Sequence, residues 1–237
     1  MTPSALEVED LGVRFGGTTA LAGVSFVVPQ GGTLAVIGPN GCGKTVLFKA
    51  LIGAVRHDGV IRWAAGTRIG YVPQKLDIER DLPITGFDFL RAKAAVTRVP
   101  EADIRRALKL VNLTPKLAGR PIGTFSGGQF QRLLLAFAVM GEPTVLLFDE
   151  PTAGVDEPGE ESLYAMIRRL QKAEHLTLLL ISHELALVYQ HADTVLCLSA
   201  GHRPAFFGAP EDVLTPERLR EAYRAPHRFH VHDDHFS

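Results

Sequence analysis

Residues Gly38-Pro39-Asn40-Gly41-Cys42-Gly43-Lys44-Thr45 constrain this chain more than any other stretch. They fit G-x-x-x-x-G-K-[ST] and lie between two different hydrophobic patterns. Residues 33–37 ahead of them form a continuous apolar run, as suits a strand covered on both faces, and 46–52 behind them read as helical. Glycines let backbone N–H groups turn inward around a phosphate, a curvature that larger side chains obstruct. Lys44 would neutralise β- and γ-phosphates, the Thr45 hydroxyl would bind Mg²⁺, and the helix N-terminus would add partial positive charge. A glycine-rich turn with a surface lysine is the bland alternative, and the flanking strand and helix argue against it. The eight residues read as a nucleotide phosphate site.

Strand and helix alternate around that loop. Leu6-Glu7-Val8-Glu9 and Val24-Ser25-Phe26-Val27-Val28 have strand-like alternation or β-branched content. From 85 to 113 the period becomes helical: Ile104, Ala107, Leu108 and Val111 fall at i, i+3, i+4 and i+7, with Pro100 just ahead. Residues 144–148 and 176–181 read as further buried strands, and Leu163, Met166, Ile167 and Leu170 mark one helix face between them. This order predicts an α/β fold, a parallel sheet with crossover helices, carrying a helical insertion at about 76–135. One domain over 1–226 and a tail at 227–237 account for the chain.

Ligands of an open parallel sheet bind at the carboxyl ends of its strands. Asp149 and Glu150 stand at one such end, so Asp149 and Thr45 can meet at one Mg²⁺ while Glu150 orients an attacking water. Two solvated acids capping a strand is the competing reading. His183 follows the strand at 176–181 and suits a γ-phosphate contact, although a lone histidine at a strand end is commonly structural. Gln74 ends Ile69-Gly70-Tyr71-Val72-Pro73-Gln74, and as a neutral amide it could hold water or Mg²⁺.

Phe125-Ser126-Gly127-Gly128-Gln129 precedes the helical run 130–140 and resembles the signature motif of ATP-binding cassette ATPases, in which leucine usually stands first. The chain shows, in order, the phosphate loop, Gln74, this signature, Asp149-Glu150, Asp156 and His183. That order and spacing resemble the cassette family over about residues 5 to 224. The resemblance implies a RecA-like core with an N-terminal antiparallel part and a helical signature subdomain. It further implies that Ser126, Gly127, Gly128 and Gln129 complete the nucleotide site of a second subunit, so that a homodimer sandwiches two ATP molecules. Asp156 resembles the loop joining the two sites, or is an N-cap of the next helix, or both. Phe15 matches the aromatic that stacks on adenine; a core role beside Val13 is its alternative.

Composition excludes other classes. With 25 basic and 26 acidic side chains the net charge is -1, which gives no general attraction to nucleic acid. The longest apolar run, 133–140, is far short of the roughly 20 residues of a membrane-spanning helix. The N-terminus lacks a secretory pattern, and two cysteines imply no disulfide framework. Together with the resemblance, this implies a peripheral subunit on the cytoplasmic face of the membrane, partnered by a separate integral permease.

Finer resemblance points to the zinc, manganese and iron importers, through Tyr71-Val72-Pro73-Gln74 with Asp81-Leu82-Pro83-Ile84-Thr85, Arg120-Pro121-Ile122-Gly123, Val195-Leu196-Cys197-Leu198 and the stretch from Gly208 to Pro216. An extracytoplasmic metal-binding protein would then be a partner. Another importer class or an exporter is the alternative. His227, His230, His232 and His235 lie with two aspartates in the last eleven residues, a composition that suits zinc, nickel or manganese, or a polar tail that binds nothing specific.

Overall fold

In the computed structural model, residues 2–74, 76, 83–150, 157–199 and 205–223 are described, with backbone alone at 157–161. β1 (Ser4–Phe15) and β2 (Thr18–Pro29) form an antiparallel hairpin around Gly16-Gly17, and β4 (Asp58–Trp63) pairs on the other side of β1. The second sheet has six strands in the order β5-β6-β7-β3-β8-β9: β5 (Ile69–Val72), β6 (Val145–Asp149), β7 (Thr177–Ile181), β3 (Thr33–Ile37), β8 (Thr194–Cys197) and β9 (Phe206–Gly208). β3, β6 and β7 are buried at every position, as their unbroken apolar sequences require of central parallel strands. β9 is antiparallel to β8, a departure from an all-parallel sheet. Only eight residues separate them, too few for the dozen or so of a parallel crossover.

Alternation along the central strands divides the core in two. Leu34, Val36, Leu147, Leu179 and Ile181 pack with the antiparallel sheet and with α1 (Lys44–Leu51). Ala35, Ile37, Leu146, Phe148, Leu178 and Leu180 face the opposite way, toward the helices between β5 and β6 and toward α6 (Glu157–Glu174). The predicted face Leu163, Met166, Ile167 and Leu170 is buried there.

The helices between β5 and β6 are α2 (Gly86–Thr97), α3 (Glu101–Leu110), α4 (Pro115–Ala118) and α5 (Gly127–Val139), with a 3-10 turn at Ile122–Thr124. α5 runs past residue 135 because its apolar run is helical and buried to Val139. Phe125, at the position where leucine is usual, is buried at 7% exposure. Gly86 makes room for it: a Cβ there would lie 3.3 Å from the Phe125 ring and 3.0 Å from the Ala118 carbonyl oxygen. α7 (Leu185–His191), α8 (Pro210–Val213) and α9 (Pro216–Tyr223) complete the described elements.

Candidate functional site

The carboxyl ends of β3, β5, β6 and β7 lie along one edge of the parallel sheet, and the predicted residues gather there. The loop from Gly38 to Thr45 leaves β3 and enters α1 directly. Gly38 has φ 143, and a Cβ at that position would sit 2.4 Å from the Leu198 carbonyl oxygen and 2.8 Å from Cys42 Sγ. Only glycine fits both the backbone and the space. Cys42 is a half-buried free thiol whose pKa burial pushes up, the direction that disfavours the thiolate. Gly43 starts α1 in the left-handed region with no side chain capping the helix, and no acidic residue occupies its first turn. The helix therefore presents its first amides and positive end to the loop.

Lys44 is buried and donates from Nζ to the carbonyls of Gly38 (2.8 Å) and Pro39 (3.2 Å). An ammonium has three donors, so a phosphate oxygen can be its third partner. Pro39, Asn40 and Gly41 form the crown of the loop; Gly41 also has positive φ.

Thr45 Oγ1 donates to Asp149 Oδ1 at 3.2 Å, so the hydroxyl and carboxylate expected to share a cation are already adjacent. Tyr71 donates its hydroxyl to Asp149 Oδ2, also at 3.2 Å. Burial raises the Asp149 pKa and outweighs both hydrogen bonds, which act in the lowering direction. An all-oxygen pair of hydroxyl and buried carboxylate fits Mg²⁺, a hard cation, and a cation would offset the cost of burying the charge.

Glu150 adopts φ 52, a left-handed conformation rare for glutamate. Its Oε1 lies 2.7 Å from His183 Nε2, and its Oε2 accepts from Gln74 Nε2. The residues ending β6, β7 and β5 thus meet on one carboxylate. The described hydrogen bond of Gln74 goes to Glu150, and among the described residues none joins it to Thr45 or Asp149.

Ser126 caps α5: its Oγ accepts from the Gln129 amide (3.3 Å), and Gln129 Oε1 accepts from the Ser126 amide (3.1 Å). The amides of Gly127 and Gly128 lie ahead of the first intrahelical bond, Phe130 N to Ser126 O. A polar helix start of this kind can receive an anion. Phe15 is 51% exposed, which corrects the core alternative: it is the last residue of β1, at the Gly16-Gly17 turn, whereas Val13 two residues earlier is buried. Asp156, His227, His230, His232 and His235 lie outside the described residues.

Tyr71 is the site residue that sequence reasoning missed. Its position follows from register, since Tyr71 pairs with Leu147, and Leu147 and Asp149 share one face of β6.

Residues 21–153 match the family model described as ABC transporter. The chain is 45% identical over 221 residues to the zinc import ATP-binding protein ZnuC of Jannaschia sp. (strain CCS1), covering 93% of this chain and 88% of that protein. It is 37% identical to the protein of the same name from Pseudomonas putida (strain KT2440), covering 99% of this chain and 91% of that one. Among solved structures, cbiO1 from Clostridium perfringens, part of the ABC transporter complex cbiONQ, superposes with a TM-score of 0.76 at 26% identity, covering 92% of this chain and 93% of that one.

Proposed function

The chain belongs to the ABC transporter family, and from that premise we propose that it is the ATP-hydrolysing subunit of a zinc importer. Relatives named for zinc import that match nearly the whole chain support the cargo. The observation that carries the hydrolytic reading is Glu150, held between Gln74 and His183 at the sheet edge beside the phosphate loop.

The residues divide the work. The loop amides, Lys44 and the start of α1 bind the phosphates of ATP, and Phe15 offers an exposed ring for the adenine. Thr45 and Asp149 would hold Mg²⁺, with Gln74 within the same group of strand ends. The ion, when bound, neutralises charge on the β- and γ-phosphates. Glu150 orients the attacking water and takes its proton, while His183 sits where it can meet the γ-phosphate. Gln74 and His183 keep the Glu150 carboxylate aimed, which lowers the cost of organising the water.

Ser126, Gly127, Gly128 and Gln129 then serve the nucleotide of a second copy of this chain, and Asp156 is assigned the role of linking the two sites on its sequence resemblance alone. Among the described residues no helix is long and apolar enough to cross a membrane. Membership of the family and the relatives named for zinc import support a subunit that works beneath a separate membrane permease, at the cytoplasmic face, with an extracytoplasmic zinc-binding protein delivering the ion.

Zinc uptake into proteoliposomes holding the assembled transporter and its binding protein tests this. ATP-dependent Zn²⁺ uptake that disappears with Lys44→Ala is the expected result. ATP-dependent uptake of a different cargo, with none of Zn²⁺, would overturn it.

A further inference from the structure

Ser182, directly ahead of His183, is buried at 3% exposure and is gripped from two sides. Its Oγ accepts a hydrogen bond from the Tyr164 hydroxyl at 3.0 Å and one from the Glu184 amide at 3.1 Å. Its own amide donates to the Val36 carbonyl of β3 at 3.3 Å. The two backbone anchors flank His183, so the turn that aims its imidazole at Glu150 is fixed at both ends. A serine hydroxyl rotates among three wells when nothing selects one. Tyr164 supplies that selection, since a phenol donating to Ser182 Oγ directs the remaining acceptor capacity toward Glu184 N.

Tyr164 is itself fixed. It is buried at 3% exposure on α6, and its ring stacks on His191 of α7, centroids 6.3 Å apart. α6 is the helix that follows the Glu150 strand end in the chain, and Ser182 directly follows the next strand, β7. The Tyr164–Ser182 bond thus ties that helix to the turn on which His183 depends.

We propose that Tyr164 is a positioning residue for His183, acting through Ser182 to hold the imidazole against Glu150. The proposal rests on the reading of His183 and Glu150 given above. The hydroxyl, not the ring, carries the effect. Losing one buried neutral hydrogen bond corresponds to a rate loss of roughly three- to tenfold if all of it is felt in the transition state.

The test uses the full-length chain assembled with its membrane subunit for kinetics, and the isolated chain for histidine ring NMR. Tyr164→Phe and Ser182→Ala should each lower kcat roughly three- to tenfold with the KM for ATP unchanged, and Ser182→Thr, which keeps a hydroxyl, should retain most of the rate. The His183 ring signals should move in Tyr164→Phe while those of His57 and His175 stay in place. Introduced into His183→Ala, the Tyr164→Phe change should cost nothing further. A Tyr164→Phe protein with wild-type kcat and unmoved His183 signals would overturn the proposal, as would an equal rate loss in the His183→Ala background. Wild-type turnover by His183→Ala alone would instead sink the catalytic reading of His183. In that case the His183 ring signals still decide whether Tyr164 positions it.

Discussion

His183 Nε2 stands 2.7 Å from Glu150 Oε1, joining the ends of two neighbouring parallel strands on one carboxylate. The contact depends on two local facts. Glu150 has φ 52, and its partners, Gln74 and His183, differ from those of Asp149, which are Thr45 and Tyr71. His183 follows Ser182, whose backbone is tied to β3 and whose side chain is tied to α6. The two adjacent carboxylates thus have separate partners, one set suited to the proposed cation and the other to the proposed water.

Substitution at Ser126 separates the two faces of the nucleotide site. Ser126→Ala removes the α5 cap and should cost about 1 kcal/mol of stability, measured by denaturant unfolding. Ser126→Arg should leave the affinity of the monomer for ATP near wild type while ATP-driven dimerisation and hydrolysis fall. Equilibrium binding of a fluorescent ATP analogue, with Lys44→Ala alongside, checks this. Loss of affinity in Ser126→Arg equal to that in Lys44→Ala would rule out the arrangement across two subunits.

Asp149 gives a pH dependence of known sign. Its pKa is raised in the folded state, chiefly by burial, so the folded chain holds this proton more tightly than the unfolded chain does. The stability associated with that proton is present at low pH and is lost as pH rises through the raised value. Asp149→Asn should therefore raise the Tm of the metal-free protein near pH 7, and the gain should shrink as pH falls below the raised pKa. Thermal melts of both proteins across the acid range read it directly. The same variant should weaken Mn²⁺ binding, followed by electron paramagnetic resonance in the presence of ATP.

Gly86 and Phe125 are a coupled pair. Gly86→Ala places a methyl 3.3 Å from the Phe125 ring and 3.0 Å from a backbone oxygen, and should destabilise by about 1–3 kcal/mol. Phe125→Leu should cost less in the Gly86→Ala protein than in the wild type, because it relieves one of the two contacts. A double-mutant cycle by denaturant unfolding measures the coupling; strictly additive effects would contradict it.

The C-terminal histidines give a prediction from sequence alone. His227, His230, His232 and His235 should bind Zn²⁺ or Mn²⁺ at micromolar affinity, about -8 kcal/mol. Calorimetry on the full chain should show a site that is lost in a chain ending at Pro226. Equal metal binding by the two would make these residues a solvated tail.

Much of this arrangement was legible in the sequence where a single physical cause dominates. The apolar run 33–37 coincides with β3, since a strand buried on both faces needs apolar residues at every position. The phosphate loop, Asp149, Glu150, Gln74 and His183 were legible as strand ends, and parallel topology brings them to one edge. Details set by register were not. β1 and β2 each run for 12 residues with several register shifts between them, and Phe15 ends β1 at the turn with its ring exposed, which the pattern of the strand does not reveal. Tyr71 reaches Asp149 through the β5–β6 register, and Tyr164 reaches Ser182 through the seating of α6, neither of which is carried by spacing along the chain.

Glu150→Gln tests the central claim most directly. The amide keeps the size of the side chain and its capacity to accept from Gln74 or His183, but it cannot take a proton. Phosphate release and ATP binding should be measured on the same preparation, with dimer content followed by light scattering. Hydrolysis should fall by at least the roughly 10²–10⁴-fold typical of a lost general base, while ATP still binds and the protein accumulates as an ATP-bound dimer. Phosphate release at the wild-type rate would contradict the assignment of Glu150 as the residue that activates water.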